Sequence, residues 1–198
     1  MERVYSKIMS VKERDAFRDR VLEERLQTIL PKVMNESGIE MWITIGREYN
    51  EDPIIHTFFP SAIDSSRRLT IFIFCSDGKG GVDRFVLHPN PAFQPFYQNV
   101  WDPSTETQWE CAARIIREKQ PAEIGVNRGA LHAASDGLTV SLFNKLKEAA
   151  EDEECNFVSA ESLAVDWLQT RSTLEMAAYP HICERSEEHT SELQSPLD

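Results

Sequence analysis

No stretch of this sequence approaches the roughly 20 consecutive apolar residues that a membrane-spanning helix needs. The first ten residues, Met1 to Ser10, carry no apolar core of the kind found in a secretory leader, so the expected compartment is the cytoplasm. Cysteine is sparse and dispersed. Cys75, Cys111, Cys155 and Cys183 form no CxxC pair, which leaves zinc ribbons and thioredoxin-like motifs without support. Cys75 closes an apolar run and Cys111 lies in a helical pattern, so both are expected to be buried thiols. Positive charge is in short supply as well: 21 Lys and Arg stand against 33 Asp and Glu, a net charge of -12. Phosphate binding needs a clustered basic surface, so a nucleic-acid partner is not expected. The notable basic groupings are Arg67-Arg68 and the sparse set Lys12, Arg14, Arg18, Arg20 and Arg25. That set alternates with Glu13, Asp15 and Asp19 and reads as a solvated helix face.

Catalytic signatures are equally thin. There is no GxSxG elbow, and no serine or cysteine has an obvious base beside it. The glycine-rich stretch Asp77-Gly78-Lys79-Gly80-Gly81 lies between two strand patterns, whereas phosphate loops run from strand into helix; it is expected to be a hairpin turn. His56, His88, His132 and His181 show no HxH or HxxxH spacing and read as structural or surface residues. The acidic run Glu151-Asp152-Glu153-Glu154 falls at a helix end and reads as solvated. On these residues alone the case for an enzyme is weak.

What is present is the pattern of a layered domain. The composition, 41% hydrophobic and 27% charged, is that of a globular chain. Phe17, Val21, Leu22, Leu26, Ile29, Leu30, Val33 and Met34 recur at three- and four-residue steps, predicting a helix over 14–37 with a kink at Pro31. Ser37-Gly38 is a stop signal. Strands are predicted at Met41–Ile45, Leu69–Cys75, Asp83–His88, Glu123–Val126 and Phe157–Val158. Helices are predicted from Thr105 to Lys119, from Asp136 to Ala150, after Ser159, and from Ser172, with Glu175 as its capping-box partner. This order predicts an α/β fold, a mixed sheet with helices on both faces. One polar segment stands out, Gly46 to Pro53, directly after the first strand. Ligands of α/β sheets gather beyond the carboxyl ends of strands. Arg47, Tyr49, Asn50 and Asp52 are therefore candidate cleft-lining residues; a polar connection whose charges pair among themselves is the competing reading.

Several segments resemble the N-terminal domain of creatinase, prolidase and aminopeptidase P relatives. They are RLQTILPKVMNESGIEMWITIGREYNEDP (Arg25 to Pro53), RRLTIFIF (Arg67 to Phe74), WECAARIIREKQPAEIGVN (Trp109 to Asn127), SDGLT (Ser135 to Thr139) and SAESLAVDWLQTRSTLEMAAYPHICE (Ser159 to Glu184). The likeness is greatest to bacterial Xaa-Pro aminopeptidase-like proteins. It implies a ribonuclease-H-like fold that caps a separate pita-bread catalytic domain and builds a homodimer. In that family two divalent ions (Mn, Co or Zn) are held by two aspartates, a histidine and two glutamates and serve to hydrolyse the bond before proline in peptides. None of those ligands maps onto this sequence, so no catalytic, cofactor or metal residue is assigned here. A non-peptidase relative, a creatinase-like hydrolase or a binding module, remains an alternative, because fold alone does not settle function.

Residues 185–195, RSEEHTSELQS, match the translation of a common short-read sequencing adapter. The expected organisation is an N-terminal extension over 1–13, the creatinase/prolidase-type domain over 14–170, the start of a connector helix over 171–184, and an artefactual tail over 185–198.

Overall fold

A computed structural model describes residues 9–150 and 155–193. The acidic run Glu151 to Glu154, the first eight residues and the last five lie outside the described residues.

Helix α1 (Val11–Glu24) opens on a capping box: Ser10 Oγ accepts from Glu13 N (3.3 Å) and the Glu13 carboxylate accepts from Ser10 N (2.8 Å). A π-helical turn, Arg25–Ile29, joins it to α2 (Leu30–Ser37), which ends at Gly38 with φ 74°. Where the sequence suggests a kink at Pro31, the structure shows this widened turn, in which Leu30 N donates to the Arg25 carbonyl. Proline has no N–H, and its ring crowds the carbonyl four residues back, so a wider turn just before it removes both conflicts.

The sheet comprises β1 (Met41–Arg47), β2 (Leu69–Ser76), β3 (Val82–Leu87), β4 (Ile124–Val126) and β5 (Phe157–Ser159), in the order β3-β2-β1-β4-β5. β1, β2 and β3 form an antiparallel meander, while β4 and β5 run parallel to β1. These are the order and directions of a ribonuclease-H-like sheet, and the fold is α/β with a mixed sheet. The meander's second connection is the predicted hairpin turn, where Asp77 Oδ1 accepts from Lys79 N (2.7 Å) and Gly81 N (2.8 Å).

Four helices follow: α3 (Gln108–Lys119), α4 (Val140–Ala149), α5 (Glu161–Gln169) and α6 (Thr173–Leu193). The predicted start at Thr105 is three residues early, because the capping box forms at Thr107 with Glu110. Likewise α4 begins after its N-cap Thr139 rather than at Asp136. The position where the adapter-like residues begin, Arg185, falls inside α6.

Alternation along the strands separates two cores. Trp42, Phe72, Phe74 and Val86 face α1, α2 and α5; Met41, Ile43, Ile45, Ile71, Ile73, Cys75 and Leu87 face α3 and α4. Helices thus cover both faces, as the strand and helix order predicts. Cys75 and Cys111 are both buried, and burial pushes their thiols up to about 11 and about 12, so neither is a nucleophile at neutral pH.

Arg25 departs from its expected place on a solvated face: only 7% of it is exposed. A guanidinium can be buried only where acceptors meet its donors. The frayed end of α5 supplies them, since Arg25 donates to the carbonyls of Trp167 and Thr170 (2.7 Å). It also pairs with Glu175 (2.7 Å) and lies 4.2 Å over the Trp167 ring. Ser172 and Glu175 form the predicted capping box, and Glu24 accepts from Leu174 N (3.0 Å). The start of α6 is therefore fastened to the junction of α1 and the π-helical turn.

Candidate functional site

At the carboxyl end of β1 the chain reverses in a tight turn, Arg47 to Asn50. Asn50 N donates to the Arg47 carbonyl (2.8 Å), and Tyr49 takes the left-handed conformation, φ 66°. That is the third position of the turn, where glycine or asparagine is the ordinary occupant. Tyr49 is 98% exposed. The turn leans on the residues that enter β2: Glu48 N donates to the carbonyl of Arg68 (2.9 Å), which is itself left-handed at φ 65°. Two non-glycine residues with unfavourable backbones therefore meet where β1 ends and β2 begins, an arrangement that clusters at functional sites.

Between them lies a cavity of about 400 Å³, lined by Arg47, Glu48, Tyr49, Arg68, Leu69, Trp109, Leu142 and Lys145. The lining brings together the β1 turn, the entry to β2, the first turn of α3 and the middle of α4. Arg47, Arg68 and Lys145 make no ion pair among the described residues.

Asp52 is turned the other way. It is completely buried, with Oδ1 accepting from Ile54 N (2.9 Å) and Oδ2 from Asn127 Nδ2 (2.8 Å). Asn127 Oδ1 in turn accepts from Trp42 Nε1 (2.8 Å), so the three side chains form one chain of hydrogen bonds across the ends of β1 and β4. Gly137 packs on this carboxylate, and a Cβ there would lie 2.5 Å from Asp52 Cγ. Burial pushes the Asp52 carboxyl up to about 6; the bonds from Asn127 and Ile54 pull it down, Asp136 pushes it up, and His56 lowers it. Glu51 accepts from the Ser66 amide and lies 3.1 Å from His56 Nε2, so its partners come from beyond the polar segment.

Of the four residues singled out from the sequence, Arg47 and Tyr49 line the cavity, Asn50 closes the turn and Asp52 anchors it from inside. Arg68, Trp109 and Lys145 converge from far along the chain, and only Arg67-Arg68 stood out in the sequence, as a basic pair. Asn127 sits at the carboxyl end of a predicted strand, the position where polar residues of α/β sheets most often matter. A second cavity, about 510 Å³, lies between α1, α5 and α6, with Phe17, Val21, Phe59, Leu168 and Ile182 among its walls. No group of three or more His, Cys, Asp and Glu side chains among the described residues could hold a metal ion.

No family model matches this sequence, and no curated protein matches it. Among solved structures, the X-Pro aminopeptidase from Thermotoga maritima MSB8 is similar, with a TM-score of 0.44 and 11% sequence identity over 66% of this chain. The match covers 34% of that protein, so this chain spans about a third of its length. The likeness is distant.

Proposed function

We propose that this chain is the N-terminal, capping and dimer-forming domain of a metal-dependent Xaa-Pro aminopeptidase-like peptidase, and that its own residues do not cleave peptides. The observation that supports this reading is the mixed sheet in the order β3-β2-β1-β4-β5. It is built by segments that resemble that family in the same sequence order, from Arg25 to Glu184. The described residues do not fit a two-ion centre. On this reading the ions belong to a following catalytic domain, where they would activate water for attack on the bond before proline. The turn at Arg47 to Asn50 then faces that domain or a second copy, and α6 is the connector, held in direction by Arg25 and Glu24. The compartment on this reading is the cytoplasm.

Reading the gene beyond codon 184 tests the proposal. The expected frame continues into a domain carrying two aspartates, a histidine and two glutamates; a frame without them overturns it. In parallel, the chain supplied with manganese and an Xaa-Pro peptide is expected to give no turnover. Chelator-sensitive hydrolysis would show that the catalytic groups lie in this chain after all.

A further inference from the structure

We propose that the cavity beyond β1 binds a small aromatic anion, with Arg47, Arg68 and Lys145 holding its phosphate or carboxylate and Trp109 its ring. This does not depend on the peptidase reading. Three observations converge on it. First, in a chain of net charge -12, these three cations line one cavity with a single carboxylate, Glu48, among them. None is answered by an ion pair among the described residues, whereas Lys119 and Arg114 elsewhere on α3 are tightly paired, at 2.6 Å each. Cations left unpaired around a concave surface focus a field that draws anions.

Second, two of the lining residues, Tyr49 and Arg68, hold left-handed backbones, at φ 66° and 65°. A side chain there costs energy that glycine would avoid. Keeping a tyrosine at such a position, 98% exposed, is a poor solution for a mere turn. It suits a residue whose side chain has to be presented outward. Third, Trp109 is only half-buried, and its indole makes no ring contact or hydrogen bond among the described residues. It stands beside the apolar walls Leu69 and Leu142. Guanidinium groups recognise phosphate and carboxylate oxygens in pairs, and a flat indole recognises a ring. The cavity's 400 Å³ lies in the range that holds small organic ligands.

The test is a titration of the full chain with phenyl phosphate, followed by proton–nitrogen correlation spectra. Saturable shifts are expected at the Tyr49 and Arg68 amides and the Trp109 indole N–H. Benzoate should move the same signals, which tells a phosphate-preferring site from a carboxylate-preferring one by the ratio of the two affinities. Benzyl alcohol should move none of them. Arg68→Gln and Lys145→Gln are each expected to weaken phenyl phosphate binding by roughly tenfold. Both residues are exposed, so neither change should alter the unfolding midpoint. The proposal is overturned if neither anion gives a saturable shift, if the neutral alcohol binds as well as the anions, or if both variants bind like the parent.

Discussion

The two faces of the sheet solve the same packing problem with different materials. On the α1, α2 and α5 side, Phe58 sits among Trp42, Phe72, Phe74 and Trp167 at centroid separations of 5.4, 5.6, 4.7 and 5.1 Å. The polar tips of these aromatics are also tied down. Tyr97 Oη donates to the Phe58 carbonyl (2.7 Å), Trp167 Nε1 to Thr57 (2.8 Å) and Trp42 Nε1 to Asn127 (2.8 Å). On the α3 and α4 side the buried core is mostly aliphatic, with Phe85 the one buried ring among its described members; its other aromatics, Trp101, Trp109, Phe143 and Phe157, are only partly buried at the rim, where Trp101 Nε1 donates to the Glu106 carbonyl (2.9 Å). Aliphatic packing tolerates volume-conserving changes, whereas rings fixed at both face and tip specify one arrangement. The aromatic side is therefore the rigid one, and it is also the side that carries Asp52.

The largest test of this contrast is Phe58→Ala, expected to cost about 3–5 kcal/mol in urea unfolding because the void cannot close around four rings. A cost near that of an aliphatic truncation would erase the distinction between the faces. Next comes pH. The folded Asp52 carboxyl titrates at about 6 against an ordinary 3.8. The folded state holds that proton more tightly than the unfolded chain does, so the group's contribution is complete below 3.8 and disappears as pH rises through 6. Relative to Asp52→Asn, the parent protein should lose on the order of 3 kcal/mol across that window. Parallel stability curves for the two proteins would show that the carboxyl is already ionised in the fold. The smallest effect is Ile43→Val on the aliphatic side, expected to cost about 0.5–1.5 kcal/mol by thermal or chemical unfolding. A loss as large as that of Phe58→Ala would mean the second face is just as tightly specified.

Strand and helix order was legible because hydrophobic alternation and capping residues act locally. Leu69 to Cys75 could hardly be anything but a buried strand, and Ser172 with Glu175 three residues on marked the start of α6 at Thr173. Arg25 was misread because periodicity places a residue on a helix face without saying what that face meets. Its burial depends on carbonyls at Trp167 and Thr170, well over a hundred positions away. The same limit applies to the cavity. Arg47 and Tyr49 could be picked out because they follow a strand, whereas Trp109 and Lys145 look like unremarkable positions of amphipathic helices until the sheet brings them alongside. Asp52, read as facing a cleft, turns inward because Asn127 and Gly137 offer it a donor and a space.

The widened turn at Arg25–Ile29 also sets a phase. One surplus residue in a helix rotates everything before it by about 100° relative to everything after it. Leu22 and Val33, eleven residues apart, would lie within about 20° of one another on a regular helix; the widened turn sets them at different angles about the axis, and both are nonetheless buried in one core. Shortening the turn by one residue would swing the outer face of α1 toward the sheet and carry Glu24 away from the start of α6. The length of five residues near the beginning of the chain thus governs the direction in which its last helix leaves.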